Sequence, residues 1–108
     1  MKEKQFVQVC FILILSLSIS FADVKLPSVI SDNMVIQQNT KVPIWGWARP
    51  GEMVKVKGSW QKKFVSSLAD KDGKWMVKLQ SPAAGGPFEL EIQGENKIIL
   101  KNVLSGEV

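Results

Sequence analysis

The chain has 108 residues, a formal net charge of +4, a single cysteine and no histidine. Without histidine, and with its one thiol in an apolar leader, it has no Ser-His-Asp or Cys-His arrangement of its own for nucleophilic catalysis. The lysines are dispersed and Arg49 is the only arginine. That pattern fits solvated strand faces and guarded sheet edges rather than the clustered basic face of a nucleic-acid binder, so no nucleic-acid partner is expected.

Residues 1–22 have the layout of an export signal. Lys2 and Lys4 form a short basic region, residues 9–19 (VCFILILSLSI) an apolar stretch, and Ser20-Phe21-Ala22 a small-residue cleavage site. A spanning helix needs about 20 apolar residues, and this run is far shorter. The expectation is a signal peptide over 1–22, cleaved near Ala22, with export to the periplasm or beyond and no membrane association afterwards. Cys10 leaves with the signal, so the domain over 23–108 must fold on its apolar core without a disulfide.

Beyond Ala22 the chain reads as strands and turns. Val42-Pro43-Ile44-Trp45-Gly46-Trp47-Ala48 alternates, with Trp45 and Trp47 on one face and Val42 and Ile44 on the other. Arg49-Pro50-Gly51-Glu52 is a turn, since proline presets φ and glycine frees the next position. In Met53-Val54-Lys55-Val56-Lys57 the valines point inward and the lysines outward. After the break at Gly58-Ser59, residues 63–69 (KFVSSLA) form a weaker strand. Asp70-Lys71-Asp72-Gly73 is expected as a hairpin turn into Lys74-Trp75-Met76-Val77-Lys78-Leu79, where Trp75, Val77 and Leu79 share a face. Residues 81–87 (SPAAGGP) read as a loop. Phe88-Glu89-Leu90-Glu91-Ile92 alternates strictly, Gly94-Glu95-Asn96 turns, and Lys97-Ile98-Ile99-Leu100 follows. Residues 100–108 (LKNVLSGEV) read as the start of a strand leading into something else.

No 3.6-residue apolar period persists after residue 22. Short strands at spacings of about 8–12 residues predict an all-β fold, a small Ig-like or jelly-roll-like antiparallel β-sandwich. Its expected core is Trp45, Trp47, Trp75, Val54, Val56, Leu90 and Ile92.

Few residues invite chemistry. Asp70-x-Asp72-Gly73 lacks the glycine and glutamate spacing of a calcium loop, so no metal site and no cofactor are expected. Ser66, Ser67 and Lys63 lie on an ordinary strand, and Glu89 and Glu91 occupy the polar face of an amphipathic one. No catalytic residue is assigned. Trp60, after a turn and before Lys62 and Lys63, is the one candidate for an exposed carbohydrate contact.

The order of segments resembles secreted bacterial sialate O-acetylesterases. The resemblance rests on residues 23–38 (DVKLPSVISDNMVIQQ), Val42-Pro43-Ile44-Trp45-Gly46-Trp47-Ala48 with Pro50-Gly51-Glu52, Asp72-Gly73-Lys74-Trp75, Ala84-Gly85-Gly86-Pro87-Phe88, and residues 102–108 (NVLSGEV). It implies an N-terminal β-sandwich ahead of an SGNH-type hydrolase domain, with O-acetylated glycan as the substrate of the whole enzyme. The family's catalytic serine follows a Gly-Glu-Val like Gly106-Glu107-Val108, within a Gly-Gln-Ser-Asn block that this sequence does not contain. Ser105 lacks that pattern and is not the nucleophile. The chain is then expected to be an N-terminal fragment with its partner domain downstream. A free-standing carbohydrate-binding or spacer module is the alternative.

Overall fold

Alternation of buried and exposed side chains organises seven strands into two facing sheets. The structure, a computed structural model, describes residues 23–108. The signal-peptide reading of 1–22, including Cys10, lies outside the described residues. The strands are β1 (Val35–Gln37), β2 (Lys41–Trp47), β3 (Met53–Gly58), β4 (Val65–Leu68), β5 (Lys74–Gln80), β6 (Gly85–Gln93) and β7 (Lys97–Gly106), with no helix among the described residues. The large sheet has the order β1-β7-β6-β3-β4, and β2 pairs with β5 in a small sheet.

The inner faces meet in one apolar core. From the large sheet come Val54, Val56, Leu90, Ile92, Leu100 and Val103, and from the small sheet Ile44, Trp75, Val77 and Leu79, all buried. Alternating strands deliver this directly: β5 reads exposed-buried throughout, and in β3 the lysines face out. Each large aliphatic side chain so buried contributes about 1.5–3 kcal/mol. Lys55 and Lys57 lie over the Phe64 ring, which shields part of the outer face.

The fold is the expected all-β sandwich, with one parallel pairing in an otherwise antiparallel arrangement. β1 runs parallel to β7, with Val35 opposite Leu104 and Gln37 opposite Gly106. Residues 100–106 therefore belong to the interior of the large sheet, as the second half of β7 rather than the start of a separate strand. Between Leu90↔Leu100 and Phe88↔Val103 the β7 strand carries an extra residue, and Asn102 absorbs it in the left-handed region at φ 57°. The Asn102 side chain donates to Asn33 Oδ1 at 2.7 Å, and Lys101 N–H donates to Asp32 Oδ1 at 2.8 Å, so the bulge anchors the segment entering β1.

Three further local expectations change. The face of β2 is inverted: Ile44 and Gly46 are buried, Trp45 is half-buried and Trp47 is 39% exposed. Trp75 lies opposite Gly46 in the register and fills the interior that a tryptophan on β2 would otherwise occupy. The 70–73 turn forms as expected, with Gly73 at φ 79° and Asp70 Oδ1 accepting from the N–H groups of Asp72 and Lys74 at 2.9 Å. It is not a hairpin, however, because β4 pairs with β3 and β5 with β2, so the turn carries the chain from one sheet to the other. Lastly, the loop after Ser81 is shorter than expected, since β6 begins at Gly85.

Candidate functional site

Among the described residues, two grooves meet at Trp45. The first has a volume of about 460 Å³ and runs beside the edges of β4 and β5. Pro43, Trp45 and Met76 line it with Leu68, and Ser67, Asp70 and Lys74 supply its polar groups. These residues come together because β2 and β5 pair with Trp45 opposite Met76, while the 70–73 turn brings the end of β4 alongside. Trp45 and Trp47 meet edge to face, with ring centroids 5.4 Å apart, which holds Trp45 in place along the groove.

The polar groups of this groove differ in how firmly they are held. Two backbone N–H groups fix Oδ1 of Asp70, while Oδ2 accepts no hydrogen bond among the described residues. The Lys74 ammonium has no carboxylate partner among the described residues. Trp75 forms part of the wall, and its buried Nε1–H has no acceptor among the described residues. A buried donor without a partner is uncommon in native proteins.

The second groove, about 400 Å³, lies between β1 and β2. Its lining is largely aliphatic: Val29, Met34, Val35, Val42 and Val108, with Trp45 at one side. Val29, Val35 and Val108 are strongly exposed. The last residues are tied to this region, since Gln38 Nε2 donates to Glu107 Oε1 at 2.6 Å and Val108 N–H donates to Gln37 Oε1 at 3.0 Å.

Trp60, the carbohydrate candidate, lies outside both grooves and is half-buried. Its indole covers Gly58 so closely that a Cβ there would collide with the ring. The ring meets Phe88 edge to face at 5.2 Å, and Nε1–H donates to the Gln80 carbonyl at 2.9 Å. Trp60 thus clasps β3, β5 and β6 with its polar atom already engaged.

The remaining polar candidates are dispersed. Ser67 reaches the first groove, whereas Ser66 lies one residue away on β4. Glu89 and Glu91 lie on the outer face of the large sheet, where Glu91 pairs with Lys97 at 3.7 Å. Ser105 is buried and donates to the Pro82 carbonyl at 2.9 Å, a structural role. Among the described residues no group of three or more His, Cys, Asp or Glu is placed to hold a metal ion. Sequence reasoning missed the Trp45–Met76–Leu68 surface because it placed Trp45 in the core. The available signal was Gly46, a residue that leaves room inside the sheet and so favours the opposite orientation for its neighbours.

No protein-family model matches the chain, and no curated protein matches it. Among solved structures, a carbohydrate acetylesterase from Xanthomonas citri superposes with a TM-score of 0.72 at 34% sequence identity. The match covers 78% of this chain and 19% of that protein, so the chain spans about a fifth of its length. The β domain is therefore similar, in both fold and sequence, to one segment of a carbohydrate acetylesterase.

Proposed function

We propose that residues 23–108 are the non-catalytic N-terminal β domain of an exported carbohydrate esterase resembling sialate O-acetylesterases. The single observation that carries this reading is the match to the carbohydrate acetylesterase, over most of this chain but a small part of that one. The sequence blocks from residue 23 to Val108 narrow it to enzymes that remove O-acetyl groups from sialic acids or related glycans. On this reading residues 1–22 direct export, and an SGNH-type hydrolase domain follows Val108 in the same polypeptide.

The chemistry divides accordingly. Hydrolysis of an acetyl ester needs an activated nucleophile and donors aimed at the developing oxyanion. Both belong to the downstream domain. The β domain supplies a rigid scaffold, and its aliphatic groove beside Val108 offers a surface for the hydrolase domain to cover. Gln37 and Gln38 hold the outgoing chain at that surface through Val108 and Glu107.

The test compares the 108-residue chain with the source gene's product extended through the next domain, both assayed on an O-acetylated sialic acid. Activity confined to the extended product is the expected result. Activity in the short chain would overturn the non-catalytic assignment. Silence in both would remove the esterase reading and leave a binding or spacer module.

A further inference from the structure

We propose that the first groove, floored by Trp45 and Met76 and edged by Asp70 and Lys74, is a carbohydrate subsite that binds a neutral pyranose residue of a glycan. This site is distinct from Trp60, and it stands whether or not a hydrolase domain follows Val108.

The argument starts from what a pyranose offers. One side of the ring is a patch of C–H groups, and its rim carries hydroxyls that both donate and accept. A receptor therefore needs an apolar or aromatic surface with hydrogen-bonding groups beside it. The first groove has this combination. Trp45 is partly exposed, braced by Trp47 at 5.4 Å, and flanked by Pro43, Met76 and Leu68. Asp70 provides an acceptor whose direction is set in advance: Oδ1 is held by two N–H groups at 2.9 Å, which leaves Oδ2 for a ligand hydroxyl. Holding the carboxylate in place before binding lowers the ordering cost. Lys74 adds donors without a carboxylate partner among the described residues.

The other aromatic and apolar surfaces lack this combination. Trp60 has spent its N–H on Gln80, and its ring lies on Gly58 and Phe88. The second groove has an aliphatic lining suited to a protein surface rather than a sugar. The Asp70 carboxylate and the Lys74 ammonium offset each other at the rim, so the groove carries no net charge that would favour an ionised ring over a neutral one.

The test is titration of the full chain, produced with its own N-terminal segment, with cellohexaose, xylohexaose and mannohexaose, read by calorimetry and by amide chemical-shift changes. Saturable binding of at least one oligosaccharide is expected, with shifts concentrated at Trp45, Asp70, Lys74 and Met76. Trp45→Ala should weaken it about tenfold or more, the scale on which a central aromatic contact acts. Because Trp45 also packs on the core, Asp70→Asn is the second variant. It keeps Oδ1 as the acceptor for the turn and changes only the outward oxygen, so thermal stability should hold while affinity falls by about tenfold. Trp60→Phe should leave affinity unchanged. No saturable binding, binding lost on Trp60→Phe but kept in Trp45→Ala, or an Asp70→Asn variant that binds as well as the parent would each overturn the proposal. The readout needs no hydrolysis, so its failure is separable from failure of the esterase reading.

Discussion

The carboxylate of Glu52 accepts a hydrogen bond from the backbone N–H of Glu95 at 2.5 Å, across 43 residues of chain. Its other oxygen accepts from the N–H of Arg49 at 3.1 Å, so one buried side chain holds the turn before β3 and the turn between β6 and β7. The Arg49–Glu95 ion pair spans the same two turns at 3.5 Å, but its side chains are 47% and 40% exposed, and solvent-screened pairs contribute little.

Removing this carboxylate leaves two backbone donors without partners in a half-buried setting. Glu52→Ala is therefore expected to destabilise the domain by about 3–6 kcal/mol, two charged hydrogen bonds at roughly 1.5–3 each. Urea unfolding followed by tryptophan fluorescence measures it. A loss below about 0.5 kcal/mol, the level of an ordinary surface change, would show that water replaces the carboxylate at no cost.

Ser81 plays a comparable role at the other end of the sandwich. It is buried, its hydroxyl lies 2.6 Å from the Gln37 carbonyl and 2.9 Å from that of Thr40, and it accepts from the Thr40 N–H at 3.0 Å. It therefore links the β1–β2 connection to the end of β5. Ser81→Ala should cost about 1–3 kcal/mol, the penalty for stranding buried backbone groups. Faster amide exchange at Thr40, without change in the β3–β6 pairing, would accompany it.

Sequence patterning made the strand faces legible wherever a large alternating set had only one reasonable orientation. Val54 and Val56, the Trp75-Val77-Leu79 set, and Leu90 with Ile92 are buried as their spacing predicts. It failed at β2, where both faces carry apolar residues and either fits the period. The choice of face was made by β5, which places Trp75 opposite Gly46. Three-residue β1 was not legible, because its pairing with β7 joins residues far apart in the chain and β1 is too short to show a period. The first groove escaped for the same reason: it depends on which side Trp45 takes and on a turn that joins two sheets. The burial of Glu52 was hidden because a glutamate after Pro50-Gly51 reads as an ordinary solvated turn residue.

The inversion of β2 leads to a sharper prediction. A Cβ on Gly46 would run into the carbonyl oxygen of Lys25, which accepts from the Trp47 N–H at 2.9 Å, while the Lys25 N–H donates to the Trp47 carbonyl at the same distance. Gly46→Ala should push residue 25 off the edge of β2 and cost about 1–3 kcal/mol, the scale of an overpacked interior. Hydrogen exchange resolves the cause: protection of the Lys25 and Trp47 amides should fall together while the Ile44–Val77 pairing keeps its own. Uniform loss across the small sheet would instead mean that the whole of β2 had been displaced.

The second groove concentrates exposed apolar surface, with Val29 at 72% and Val35 at 53% exposure beside the half-buried Met34. Patches of this kind on a soluble domain mark contact surfaces and drive self-association when uncovered. The 108-residue chain should therefore sediment with a weight-average mass that rises with concentration. The double substitution Val29→Lys and Val35→Lys adds two charges to the patch without touching the buried set of Val54, Leu90 and Ile92, so folding stability should change little. The double variant should remain monomeric over the same concentration range. A parent chain that is already monomeric would count against the patch as a contact surface. A double variant that still associates would place the sticky surface elsewhere, with Trp47, Leu68 and Met76 the next residues to substitute, all of them also exposed.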